Sequence, residues 1–320
     1  MALVGIARLA SQSELLESKR GVQYFEMPAR SILNRTRPRM PFQWTINPYR
    51  GCEFGCTYCF ARYTHEFMEM DAGDFEERIY AKSAIAHLLR RELGRVERRE
   101  YIVIGTATDP YQPAERRFAR TRSILEVFVR ERGRRLGITT KSDLILRDRE
   151  LLREIARGNV LHVNFTITTL DERLARLLEP RAPRPSLRLA ALRKLGDAGI
   201  AVGVFANPVM PGLTDGERQL DRLAKTARDA GALWFDGAPL FLMPSARKVF
   251  LPLLEREFPA LAARYRELYA RSAFLGGAYE EMLRARVAKI RQRYGLEAGP
   301  IEYPPELWDG EQQGELFPLQ

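Results

Sequence analysis

Cys52, Cys56 and Cys59 are the only cysteines in 320 residues, and all three lie within one stretch of eight. Three residues separate the first two and two separate the last pair. An odd number cannot be used up in internal disulfides. Thiols this close, in a chain whose first apolar run is too short for a secretory signal, point to a metal site in a reducing compartment. A structural zinc ion held with His65 as fourth ligand is one reading. Such sites usually bring paired ligands from two separated positions, and this sequence has no second pair. Gly51 and Gly55, each directly before a cysteine, let the backbone wrap closely around whatever the thiols hold.

The elements around this loop follow a regular rhythm. Short apolar runs at 44–49, 101–105, 136–140, 161–168, 200–205 and 233–235 read as strands. Between them, helical spacing covers 81–93, 120–132, 149–156, 172–178, 185–198 and 215–230. Alternation of this kind predicts an α/β fold with a parallel sheet of six strands, a partial (β/α)6 relative of the TIM barrel. Active sites of such folds lie at the C-terminal ends of the strands, and the cysteine loop directly follows the first. Residues 1–43 read as a basic, extended arm and 44–243 as the core. Residues 244–295 form a helical extension, and 296–320, rich in Pro, Glu, Gln and Gly, a flexible tail.

Lys and Arg outnumber Asp and Glu by 51 to 41, a net charge of +10. That balance favours anionic partners, nucleic acid first, although an Arg-heavy composition can also reflect codon usage. No stretch is apolar and long enough to cross a membrane, so the chain reads as soluble and cytoplasmic.

The run from Asn47 to Arg62, with an aromatic residue, Tyr58, before the third cysteine, resembles the radical S-adenosylmethionine (SAM) superfamily signature. The resemblance implies a [4Fe–4S] cluster. A cube of four irons usually takes four thiolates. Three cysteines leave one iron open, and in the superfamily SAM fills it. The cofactor then supplies the radical chemistry. An electron donor is implied as well, a reductase or a flavodoxin or ferredoxin.

Further segments resemble the DNA repair photolyase-like group, related to spore photoproduct lyase. They are Ala107 to Glu115, Thr139 to Ser142, Phe165 to Thr168, Leu178 to Pro180 and Ala206 to Gly212. By that resemblance Thr108 and Asp109 lie near the SAM amino group, and Lys141 and Thr166 meet its carboxylate and nearby polar atoms. A lysine facing a carboxylate also makes electrostatic sense. The relative returns a hydrogen atom from a further cysteine, at a position where this chain has Thr106. Its O–H bond is too strong for that task, and Tyr111 is a possible stand-in. The lyase reaction therefore does not transfer with the family. The alternatives are radical SAM modification of a protein or small molecule, and a non-catalytic iron–sulfur or zinc module that binds nucleic acid.

Gln313-Gly314-Glu315-Leu316-Phe317 is similar to the peptides by which bacterial repair proteins dock on the sliding clamp. Gln313, Leu316 and Phe317 would be its anchors. A chance match in an ordinary terminus is the competing reading.

Overall fold

Two sheets organise the computed structural model, which describes residues 3–19, 21–38 and 40–303. Strands β1 (Glu14–Lys19) and β2 (Val22–Met27) form an antiparallel hairpin, and β3 (Leu33–Arg35) follows. Next come β4 (Trp44–Ile46), β5 (Tyr49–Arg50) and β6 (Arg78–Lys82). The remaining strands are β7 (Tyr101–Ile104), β8 (Arg135–Thr140), β9 (Val160–Thr166), β10 (Ala201–Phe205) and β11 (Trp234–Asp236).

The larger sheet runs β11-β10-β9-β8-β7-β4-β3. Its six strands from β4 to β11 pair in parallel, as the alternating pattern predicts, and the sheet does not close on itself. Every residue of β7 and β9 is buried, the mark of strands covered on both faces. Helices Ile85–Leu93, Arg120–Phe128, Arg149–Ala156, Pro185–Gly196 and Glu217–Asp229 turn their apolar sides into the same core as the strands. Inside the sheet, Trp234 lies against Gly203 on the neighbouring strand. A Cβ at Gly203 would collide with the indole, so that glycine makes room for the largest ring of the interior.

Three expectations are corrected. Residues 1–43 are not an extended arm. Helix Gly5–Ser11, β1 and β2 make a folded unit, β2 pairs in parallel with β6, and β3 adds an antiparallel edge to β4. The sheet edges of β4 and β6 would otherwise be left unpaired, and the N-terminal segment satisfies them. The helix placed at 81–93 starts at Ile85, because Arg78–Lys82 is spent in β6. Leu296 to Tyr303, assigned to the tail, packs beneath the barrel, where the Tyr303 hydroxyl accepts from the Leu161 amide at 2.6 Å. Glu297 also bridges Trp234.

Helices Pro244–Glu257, Pro259–Leu268 and Ala278–Tyr294 make up the extension. Phe250, Leu254 and Tyr265 of the first two, with Tyr269 just past the second, share one apolar cluster with Cys52, Phe54, Cys56 and Tyr58. These helices thus back the cysteine loop. No described helix is long and apolar enough to cross a membrane. Gln313, Leu316 and Phe317 lie outside the described residues.

Candidate active site

The cysteine loop leaves the end of β4 and is held from three sides. Gln112 grips it from the segment after β7: its side-chain amide donates to the Gly51 carbonyl and accepts from the Glu53 amide, both at 3.0 Å. Tyr24 of β2 donates to Glu53 at 2.8 Å, which ties the N-terminal sheet to the same turn. Arg62, fully buried, donates to the Cys56 carbonyl at 3.1 Å and pairs with Glu76 at 2.5 Å. At Gly51, φ is +77° and a Cβ would stand 2.5 Å from the Arg78 carbonyl oxygen. Only glycine takes that backbone and that approach together.

Cys52 and Cys56 are buried and Cys59 half-buried. Burial pushes all three thiols up, Cys56 to about 12, while backbone N–H groups of Asp109 and Phe54 favour the thiolate of Cys52. A bound metal reverses that burial penalty by deprotonating its thiol ligands. Among the described residues no group of three or more His, Cys, Asp or Glu side chains is arranged to hold a metal ion. His65 is committed elsewhere. Its Nε2 donates to the Arg78 carbonyl at 3.0 Å, and its ring packs edge-on against Phe75. The donor set is thus three thiols on a glycine-shaped loop, which suits a cluster that takes three protein ligands better than a four-ligand zinc ion.

Behind the loop lies a buried ionic network. The Tyr58 hydroxyl donates to Glu179, whose other oxygen pairs with Arg188 at 2.5 Å. Arg188 also donates to the carbonyls of Thr166 and Pro183. Burial raises the Glu179 carboxyl, but Arg188, Lys141 and the Tyr58 hydroxyl outweigh it, so its pKa falls below the ordinary value. Lys141 behaves in the mirror sense. Burial depresses its ammonium, and Cys56 and Glu179 more than restore it. Its Nζ sits 5.8 Å from the centre of the Tyr58 ring, without a hydrogen-bond acceptor among the described residues.

The four residues expected from the resemblance to meet SAM stand at consecutive strand ends: Thr108 and Asp109 after β7, Lys141 after β8, and Thr166 closing β9. Asp109 and Lys141 meet directly, because one Asp109 oxygen accepts from the Lys141 amide at 2.6 Å. The other accepts from Thr140 at 2.7 Å and from the Tyr111 amide at 2.9 Å. That carboxylate therefore fixes the Lys141 backbone. Thr108 donates to the Tyr49 carbonyl at 3.2 Å. Tyr111 is wholly buried in the main core, so it is removed from any substrate.

Gln112, Glu179 and Arg188 were not singled out as site residues from sequence. The first two fall in segments that carry the family resemblance, so a signal existed for them; none existed for Arg188.

A cleft of about 390 Å³ opens beside the loop at the ends of β4 and β7. Asn47, Thr106 and Thr108 form its barrel side, and Arg50, Lys82 and Phe60 its outer side. Thr106 lines this cleft with its hydroxyl held by Thr45 and Asn47.

The Radical SAM superfamily profile matches residues 46–224. An uncharacterised protein of Mycobacterium tuberculosis is 38% identical over 304 residues, covering 94% of this chain and 88% of its own. One of Methanocaldococcus jannaschii is 28% identical over 239 residues, or 74% and 85% of the two chains. A spore photoproduct lyase mutant superposes with a TM-score of 0.61 at 14% identity, over 84% of this chain and 79% of that one. Another, with bound AdoMet and dinucleoside spore photoproduct, gives 0.55 at 18% identity over 74% and 66%. A shared fold, a family profile across more than half the chain and the three-cysteine loop at the strand ends agree: the chain belongs to the radical SAM superfamily.

Proposed function

We propose that the chain binds a [4Fe–4S] cluster through Cys52, Cys56 and Cys59, binds SAM beside it, and acts on nucleic acid. Held by Cys52, Cys56 and Cys59, the reduced cluster would supply the electron for reductive SAM cleavage, and the two cofactors together would supply the radical chemistry. The observation that carries the cofactor reading is Lys141. A half-buried ammonium next to Cys56, with no acceptor among the described residues, is a ready partner for the SAM carboxylate. Asp109 sets its backbone, and Thr108 and Thr166 line the neighbouring strand ends.

Nucleic acid as substrate is supported by the net charge of +10 and by the fold shared with a lyase that binds a dinucleoside photoproduct. The lyase reaction itself is not assigned, since Thr106 stands where a cysteine would be needed. Anaerobic reconstitution with iron and sulfide, reduction, and an assay for 5′-deoxyadenosine test the proposal. Wild type forms it from SAM, and a variant with Ala at all three cysteines does not. A fully loaded wild type that neither binds nor cleaves SAM would overturn the cofactor reading. DNA binding that does not weaken with salt would remove the nucleic-acid reading.

A further inference from the structure

Five aromatic rings form a continuous row, three of them, Phe60, Tyr63 and Phe67, on the rim of the cleft and two, Phe241 and Phe274, leading away from it. Phe67 meets Tyr63 edge-on at 5.4 Å, Tyr63 stacks on Phe60 at 6.4 Å, Phe60 lies 6.0 Å from Phe241, and Phe241 stacks on Phe274 at 4.1 Å. The row joins two distant parts of the chain, the turn after the third cysteine and the segments flanking the C-terminal helices. Its ends face water: Phe67 is 63% exposed and Phe274 66%, with Phe60 at 36%. Single exposed apolar residues are ordinary, but a contiguous run of this length marks an interaction surface.

Two cations stand next to it. Arg50 lies opposite Tyr80 in the β5–β6 pair, so Arg50, Tyr80 and Lys82 project to one side of that sheet. Both cations line the cleft with Phe60, Tyr63 and Phe67. Neither side chain makes an ion pair or hydrogen bond with another described residue, whereas Arg62 and Arg188 beside the loop are both paired. Burial, reinforced by the neighbouring Arg50 charge, pulls Lys82 down to about 7. Glu92 opposes that shift without overcoming it, and two like charges held together form a site that an anion would stabilise.

We propose that this rim is a platform for single-stranded or extruded nucleotides: bases stack along the Phe67–Phe274 row while Arg50 and Lys82 take a backbone phosphate at the cleft. This rests on the nucleic-acid reading above and narrows it, from nucleic acid in general to an unpaired strand. Aromatic faces accept any base, and cations beside them track the backbone, which is how sequence-tolerant single-strand sites are built. An intact duplex hides its base faces and could use only the cations.

Fluorescence anisotropy with a short labelled oligothymidylate, and with a duplex of the same length, tests it on the full chain. Phe67→Ala and Phe274→Ala alter exposed rings, and thermal unfolding checks that both variants remain folded. Each is expected to weaken single-strand binding about tenfold, while duplex binding changes little. Lys82→Met is expected to lower the salt slope for the single strand by roughly 0.7, the contribution of one phosphate contact. Wild type that prefers the duplex, or ring variants that bind the single strand as wild type does, would overturn the platform and leave the nucleic-acid reading standing. Wild type that binds neither oligonucleotide at low salt would remove both.

Discussion

The two ends of the barrel use similar residue types to opposite effect. At the lower end, Tyr101, Trp234 and Tyr303 surround His162 edge-on, with ring centres 5.7 to 5.9 Å away. Each polar tip there has a partner: His162 donates to the Ile301 carbonyl at 2.6 Å, Trp234 to Asn164 at 3.0 Å, and Tyr303 to the Leu161 carbonyl at 3.1 Å. At the upper end Lys141, Arg50 and Lys82 have no acceptor among the described residues, and the Phe67–Phe274 row meets water. A closed set of partners secures the fold, whereas groups left without partners are available to a ligand. Stability and function should therefore separate along the barrel axis.

The largest expected effect is on stability, from the lower end. Trp234→Ala empties a site with no exposed surface and should cost about 3–5 kcal/mol in urea unfolding. SAM cleavage per loaded cluster should stay at the wild-type rate; a loss of cleavage with stability intact would reverse the comparison. His162 gives the next effect. Burial, aided by the Arg135 charge, pulls it down to about 4, although the Ile301 carbonyl acts the other way. A depressed histidine contributes stability that is complete above its unfolded pKa, about 6.5, and drains away as pH falls towards 4. The full contribution is roughly 3 kcal/mol, and His162→Gln should flatten that part of the pH–stability curve. The smallest effect comes from the upper end. Lys141→Met should shift unfolding by about 1 kcal/mol, since Lys141 makes no direct hydrogen bond although its charge helps keep Glu179 ionised. SAM binding, followed by equilibrium dialysis, should fall about 10- to 100-fold. Equal losses in both measurements would mean that Lys141 holds the fold rather than the cofactor.

Much of this arrangement was legible in the sequence, for a local reason. Strand and helix periodicities are properties of a short window, so β7 to β11 and the helices between them fall close to their predicted positions. Helices Arg149–Ala156 and Glu172–Leu178 match to the residue. The cysteine spacing is likewise local, and it carries its chemistry with it. The parallel pairing of β2 with β6 was not legible, because a strand of alternating burial does not say which distant edge it will meet. Nor was the docking of Leu296 to Tyr303, whose composition resembles a loop and whose burial depends on a gap left by other elements.

The sequence by itself determined three thiols at one spacing, a rhythm of strands and helices, and hence a loop at the C-terminal end of a parallel strand. Tertiary structure decided which charges would be satisfied. Glu179 and Arg50 both fall in segments that carry the family resemblance, and Arg188 and Lys82 do not, so sequence does not say which pair will be satisfied. Folding places Glu179 and Arg188 2.5 Å apart beneath the loop and leaves Arg50 and Lys82 at an open cleft. The cost of burying a charge depends on what stands opposite it, and that is fixed only when distant segments pack.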